Sequence, residues 1–383
     1  MVMSVPALLP TYPPFPFTIS HGSGDRIWDT DGNAYFDFYG GHCVCATGHC
    51  HPKVVQAIKD QAEKLLFYST AGHLEIRDRA ARALVEYAGA PMASVFFCNS
   101  GAEANENALK VASLITGRTK FAATTHGWHG RTALALAVTD DPPIQDPFRP
   151  FLADCVRIVF NDFDSLAKTE LHNVAALILE PIQSMAGIIE VDPHWLRAVR
   201  AKCDEAGCLL IYDEIQTGFG RLGKPFGKDV FGVAPDLIAV AKGVASGIPM
   251  GAVLMTDSVA SKLKSGDLGS TFGGGPIACA ALLATVDVLK NENLAENARR
   301  KETRIRVELD SSVVQGVRGS GLLLGLECGT RARALKAHLQ ANRILVGGSH
   351  DPTILRLMPP LNLTDEAVDA LIGAVRSIPR ETH

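Results

Sequence analysis

The sequence has no long apolar run. Nowhere does it approach the roughly 18 consecutive apolar residues that a membrane-spanning helix requires, so no membrane anchor is expected. Charge of one sign is also scarce. With 37 Lys and Arg against 41 Asp and Glu the formal charge is −4, and no basic stripe stands out to neutralise phosphates, which argues against a nucleic-acid surface. Regularly paired cysteines are missing. The nine cysteines are odd in number and scattered, as reduced thiols of a cytoplasmic protein would be. A basic segment ahead of the short N-terminal apolar run is lacking too. Met1 to Pro16, with Pro6, Pro10, Pro13, Pro14 and Pro16, is expected to be an extended arm and not a signal peptide.

What is present is ordinary globular composition, 47% hydrophobic and 20% charged, with no disordered bias. At 383 residues the chain exceeds the size to which one hydrophobic core keeps growing, so two subdomains of unequal size are expected.

Two stretches organise the rest. Leu209-Leu210-Ile211-Tyr212-Asp213 is an apolar run ending in a carboxylate, and Ala239-Val240-Ala241-Lys242-Gly243 is a second ending in a lysine. Residues alone leave two readings open. The pair is a structural ion pair, or both groups are aimed at one ligand outside the carboxyl ends of parallel strands.

From the N-terminus, residues 25 to 38 alternate apolar and polar around Asp31-Gly32, which predicts a small hairpin. His42 to His51 then offers His42, Cys43, Cys45, His49, Cys50 and His51 as soft or borderline metal ligands. Their Cys-x-Cys and His-x-His spacings do not form the usual zinc pairs, and no second pair follows, so the stretch reads as a glycine-punctuated loop before a helix from Pro52 to Leu66, with no metal. Ser94 to Cys98 is a short β run leading into helical composition from Asn99 to Lys110. Ser100 followed by Glu103 is a capping box. The same strand-to-helix turn, with Gly101 and Ala102, also suits a phosphate seated on free N–H groups at a helix N-terminus.

A strand around Lys120 to Thr124 precedes His126-Gly-Trp-His-Gly-Arg-Thr132. There Trp128 is a core anchor or a ring for stacking on a heteroaromatic ligand, and Arg131 a surface charge or a carboxylate fork. Val174 to Leu179 is apolar throughout, as strands buried on both faces are, and a helical pattern from His194 to Ala206 completes a β-α-β rhythm. Gly218 to Gly223 matches the dinucleotide fingerprint formally, but Lys224-Pro225 follows where a helix should start. Gly269 to Pro276 is a glycine-rich loop that is a plain turn or a close approach to a ligand, and a long helix is expected from Ile277 to about Lys290. Val317 to Leu326 and Ile354 to Met358 read as strands, with helices around Arg331 to Gln340 and Asp365 to Arg376. Arg356, inside an apolar strand, calls for an anionic partner.

The chain resembles the class III aminotransferases, fold type I enzymes that use pyridoxal 5′-phosphate. It is similar to their acetylornithine and succinylornithine branch nearly end to end, through Asn99-Ser-Gly-Ala-Glu-Ala-Asn-Glu106, His129-Gly-Arg-Thr132, Glu180-Pro-Ile-Gln183, Asp213-Glu-Ile-Gln-Thr-Gly218, Ala241-Lys-Gly243, Ser270-Thr-Phe-Gly-Gly274 and Leu355-Arg-Leu-Met-Pro-Pro360. The resemblance implies an α/β fold. A large domain holds a mostly parallel seven-stranded sheet between helices, and a smaller α+β domain comes from the N- and C-terminal segments. The expected limits are 1–50 for the arm and part of the small domain, 51–285 for the cofactor-binding domain and 286–383 for the C-terminal small domain.

By the same resemblance Lys242 carries the cofactor and shuttles the proton, while Asp213 pairs with the pyridinium nitrogen. Gln216 bonds the ring's 3′-oxygen, Ile215 and Trp128 sandwich the ring, and Ser100, Gly101 and Ala102 hold the phosphate. Thr271 serves the cofactor of the other subunit, which implies a homodimer. Arg131 and Arg356 read substrate carboxylates, and His42 borders the entrance. The implied reaction moves the terminal amino group of N-acetylornithine, or a related N-acylated diamino acid, to 2-oxoglutarate.

Alternatives remain. They are another ω-amino-acid transaminase, acting on ornithine, a lysine derivative or 4-aminobutyrate, and a decarboxylating aminotransferase, since dialkylglycine decarboxylases resemble the chain at Trp128-His129-Gly130 but lack the arginine at Arg131. A nicotinamide oxidoreductase using Gly218 to Gly223, or a metal-binding protein using His42 to His51, would show no pyridoxal spectrum. One departure concerns substrate choice. Where many relatives read Pro-Ile-Gln-Gly-Glu, this chain has Pro181-Ile-Gln-Ser-Met185, so the glutamate thought to mask the arginine at Arg356 is absent.

Overall fold

The computed structural model describes residues 7–9, 11–309 and 312–379, so Met1 to Pro6 and Pro10 of the expected arm lie outside it. Its centre is a seven-stranded sheet in the order Met92–Cys98, Gly251–Thr256, Leu237–Val240, Leu209–Asp213, Val174–Leu179, Lys120–Thr124 and Cys155–Ile158. Gly251–Thr256 runs antiparallel to both neighbours, and every other pairing is parallel.

Val174–Leu179 and Leu237–Val240 are buried at every position, which is why neither shows an alternating pattern. Strand side chains alternate faces, so Leu177 and Leu179 join one apolar cluster while Ile178 joins the other. Covering helices include Gly101–Thr116 and Pro193–Ala206. The second starts where the Asp192 side chain accepts from the N–H groups of His194 and Trp195, and stops at Gly207 in the left-handed region. With this connectivity the carboxyl ends of the parallel strands share one edge, and there Asp213 and Lys242 emerge.

Away from that sheet, Ile19–Ser23, Arg26–Asp29 and Ala34–Asp37 form an antiparallel meander, including the hairpin expected around Asp31-Gly32. Ile344–Leu345 joins it in parallel, so segments from both halves of the chain share one small sheet. Three further strands, Gly316–Ser320, Leu323–Glu327 and Ile354–Leu357, form another. The run from Val317 to Leu326 is thus two strands of a hairpin, turning at Gly321 with φ +59°.

Of the described helices of ten or more residues, two have no counterpart in the sequence reading, Glu75–Ala88 and Leu294–Glu308. The second buries only Leu294, Ala298, Lys301 and Ile305, and a lysine inside the apolar stripe conceals it. Among the described residues no helix is long and apolar enough to cross a membrane.

Candidate active site

The turn after Met92–Cys98 is built to present backbone N–H groups. Ser100 caps the helix Gly101–Thr116, its hydroxyl accepting from Glu103 N at 3.1 Å, while Glu103 Oε2 accepts from Asn99 N at 2.7 Å. The positive end of a 16-residue helix therefore opens at Gly101 and Ala102, a site suited to an anion. The neighbouring strand leaves no slack. A Cβ on Gly251 would fall on the Ser100 carbonyl oxygen and come within 2.9 Å of Cys98 Sγ.

Asp213, at the end of Leu209–Asp213, is 4% exposed. Its Oδ2 accepts from Asn105 Nδ2 at 2.7 Å and from His129 Nδ1 at 2.8 Å, and its Oδ1 accepts from Ile215 N at 3.1 Å. Asn105 Nδ2 also donates to the His129 carbonyl at 2.7 Å, which binds the Trp128–His129 loop to the helix of the anion seat. Neither His129 nor Asn105 was singled out from the sequence as a site residue. Both lay inside quoted motifs, but only the fold reveals that they meet at Asp213.

Lys242 follows Leu237–Val240, one strand over from Asp213, in a left-handed conformation at φ +43°. For a non-glycine residue this backbone carries strain, a recurrent property of functional sites. Burial pushes its ammonium below the ordinary value. Asp213, Cys43 and Glu180 oppose that shift, and Arg356 adds to it. No ion pair joins Lys242 to Asp213 among the described residues, so the structural-bridge reading fails. Glu180, 4% exposed, accepts from Trp128 N at 2.9 Å and Ser184 N at 3.4 Å. Its carboxyl is pushed up to about 7, chiefly by burial, with His129 lowering it and Asp213 raising it.

These groups face one cavity of about 330 Å³. Ser100, Gly101 and Ala102 line one side, Trp128, Ile215 and Gln216 contribute further wall, and Asp213 and Lys242 both reach in. The other four expected residues do not line it. Arg131 is exposed, its guanidinium 5.3 Å above the Trp128 ring. Arg356, 5% exposed, donates from Nη1 to Ser184 Oγ at 2.9 Å and from Nε to the Gly348 carbonyl at 2.5 Å. The anionic partner it calls for is not among those contacts. Burial holds it below its ordinary value.

His42 is exposed beside Tyr39, whose hydroxyl is within 2.8 Å of the ring, in a left-handed turn that runs from Gly40 to Cys43. Partial desolvation by its neighbours, together with Lys242 and Arg356, depresses its pKa. Of the other potential ligands nearby, His49 is engaged with Asp37 at 2.8 Å, His51 with Glu292 at 3.3 Å and Cys43 Sγ with the Gln216 carbonyl at 3.7 Å. Thr271 is exposed in the loop that Ser270 Oγ closes by accepting from Gly273 N. The formal dinucleotide fingerprint at Gly218 to Gly223 lies in a turn, and only a five-residue helix, Gly227–Phe231, comes after it.

The donor set fits pyridoxal 5′-phosphate. An anion seat, a buried carboxylate and an amine share one cavity. Gln216 Oε1 lines up with them, buried without a hydrogen-bond partner among the described residues, so the amide is open to a ligand in this cavity.

Comparison with known proteins agrees with this geometry. The family model described as aminotransferase class-III matches residues 9–378. An acetylornithine aminotransferase of Methanopyrus kandleri is 41% identical over 95% of this chain and 94% of its own length, and one of Streptomyces coelicolor is 41% identical over 93% and 89%. Among solved structures, an ornithine aminotransferase of Toxoplasma gondii superposes with a TM-score of 0.90 at 34% identity, covering 96% of this chain and 91% of that one. An acetylornithine aminotransferase of Elizabethkingia anophelis gives 0.81 at 30% identity, with 96% and 95% covered. With the amine, the carboxylate and the anion seat arranged around one cavity, the chain belongs to the class III aminotransferases.

Proposed function

We propose that the chain is the transaminase that moves the terminal amino group of N-acetylornithine, or of a close N-acylated relative, to 2-oxoglutarate. The products are N-acetylglutamate 5-semialdehyde and glutamate, a step of arginine biosynthesis. The observation that carries this reading is the Lys242 amine, lowered in pKa and unpaired with Asp213 among the described residues, in a cavity that also holds an anion seat. The choice of donor rests on similarity to acetylornithine aminotransferases at 41% identity.

When bound, pyridoxal 5′-phosphate supplies an aldehyde carbon for the amine and a cationic ring that accepts the electron pair released at the substrate carbon. Lys242 Nζ holds the cofactor and then moves the proton, for which a depressed pKa suits it. Asp213 keeps a proton on the ring nitrogen, braced by His129 and Asn105. Ser100, Gly101 and Ala102 take the phosphate, while Trp128, Ile215 and Gln216 fix the ring. Arg131 reads the donor's α-carboxylate, Arg356 that of glutamate, and His42 forms part of the entrance wall.

A homodimer completes the proposal. Leu66, Tyr68 and Phe272 are 67%, 54% and 64% exposed, and Leu66, Phe67, Pro249 and Phe272 line a second, apolar cavity. Large exposed apolar groups gathered in one place suit a subunit interface. Thr271, next to Phe272 and not among the residues lining this chain's own cavity, would in such a dimer serve the neighbouring subunit's phosphate.

The test is a panel of steady-state rates with 2-oxoglutarate as acceptor and with acylated and free ornithine, lysine and 4-aminobutyrate as donors. The highest kcat/KM is expected with the acylated ornithine. A higher value for a free donor, or carbon dioxide release from 2,2-dialkyl amino acids, would overturn the assignment.

A further inference from the structure

The geometry points to Glu106 as the positioning residue that ties Arg131 to the helix carrying the anion seat. Glu106 lies on Gly101–Thr116, and its carboxylate gathers the start of Ala133–Val138, the short helix that begins two residues after Arg131. Oε2 accepts from the Thr132 hydroxyl at 2.7 Å, Leu134 N at 3.0 Å and Ala135 N at 3.0 Å, and Oε1 is 3.1 Å from Leu134 N. One carboxylate thus holds three donors within four residues of Arg131.

The contact is tight on the other flank as well. Gly130 has φ +138°, and a Cβ there would come within 2.9 Å of Ala102 Cβ and 3.1 Å of Ala135 Cβ, so the loop lies directly on the first turn of the same helix. Arg131 is therefore clasped from both neighbours, by Gly130 packing on Ala102 and by Thr132 bonding Glu106. Its guanidinium forms no ion pair with Glu106 among the described residues and lies over Trp128. The carboxylate is engaged by neutral donors, which orient the arginine without neutralising it.

The functional consequence follows from rigidity. The helix that seats the anion at its N-terminus also fixes, just over one turn later, the loop of the arginine proposed to read the donor carboxylate. A displacement of either would change the span between cofactor and carboxylate, and a shift of about 1 Å in such a span can cost 100-fold in kcat/KM, here through the binding of the donor carboxylate. This inference rests on the role proposed for Arg131.

The experiment is a double-mutant cycle on the holoenzyme with Glu106→Ala, Arg131→Ala and the pair, using N-acetylornithine as donor. Glu106→Ala is expected to raise donor KM about 10- to 100-fold with a much smaller change in kcat and in the absorbance of bound cofactor. In the pair, Glu106→Ala should add little to Arg131→Ala, because the group it positions is already gone. Full additivity would overturn the positioning role while leaving that of Arg131 standing. An Arg131→Ala enzyme with unchanged donor KM would overturn both. Should Glu106→Ala fail to fold, Thr132→Val removes one of the bonds and is read by the same cycle. A donor KM unchanged in that variant also counts against the inference.

Discussion

His129 Nδ1 lies 2.8 Å from Asp213 Oδ2, and the two side chains are 0% and 4% exposed. Nδ1 is the ring nitrogen that meets the carboxylate, and Nε2, the other ring nitrogen, is buried with no partner among the described residues. The imidazole therefore holds one carboxylate oxygen in place, together with Asn105, and leaves Oδ1 with the Ile215 N–H as its one partner among the described residues. That asymmetry aims the second oxygen.

Replacing His129 by Leu removes this brace without adding a charge. Losing a hydrogen bond to a charged group costs about 1.5–3 kcal/mol, so kcat/KM should fall roughly 10- to 100-fold with every donor alike. A donor-dependent loss would place His129 in substrate recognition instead. Measuring two unrelated donors separates the cases.

Lys242 and Asp213 are predicted to fail differently. Lys242→Ala should abolish turnover and covalent retention of the cofactor, because no other lysine among the described residues lines the cavity. Asp213→Asn should keep cofactor after dialysis and lose most of its rate, since the anion seat is untouched. If Asp213→Asn emerges as cofactor-free as a phosphate-seat variant, Asp213 is a binding residue and not an electronic one.

Much of the sheet was legible because buried parallel strands have a composition of their own. Lys120–Thr124 and Val174–Leu179 carry no alternation to misread, and Ser100 with Glu103 marks a helix start locally. What could not be read is what depends on distant approach. Asn105 and His129 converge on Asp213 from 108 and 84 residues away, so no window contains the site. The split of Val317 to Leu326 escaped for the opposite reason: ten mostly small or apolar residues give no period, and only the left-handed Gly321 betrays the turn. Arg356 was visible as an anomaly, but its actual partners are a hydroxyl and a carbonyl that sequence spacing does not pair with it.

Two buried carboxyls make stability depend on pH. Burial pushes Glu180 and Glu214 from the ordinary 4.5 to about 7 in the folded chain. Below 4.5 folded and unfolded chains both hold these protons, and the contribution is fully present. Between 4.5 and about 7 the unfolded chain has released them and the folded chain has not, so stability falls as pH rises through that window and levels off above it. The urea midpoint should decline across this range, and Glu214→Gln should decline less. Parallel declines would show that Glu214 titrates normally.

The final prediction concerns Met185. Ser184 offers Arg356 a neutral oxygen, and Met185 follows it with its carbonyl accepting from His350 N at 2.8 Å, so the turn brings no acid to the guanidinium. On the role proposed for Arg356, no acid from this turn would compete with a substrate carboxylate for it in either half-reaction. On that role, a donor with a free α-amine would have its α-carboxylate drawn toward Arg356, which would bring its α-nitrogen to the cofactor in place of the terminal one. An acyl group on that nitrogen blocks the misplaced chemistry, so an acylated donor needs no acidic mask. Met185→Glu should supply the mask, shifting the ratio of kcat/KM for free ornithine to that for N-acetylornithine by roughly tenfold, the size of one charge-assisted hydrogen bond. The shift should come with less reaction at the α-amine of ornithine. An unchanged ratio would mean that the openness of Arg356 has no bearing on which nitrogen reacts.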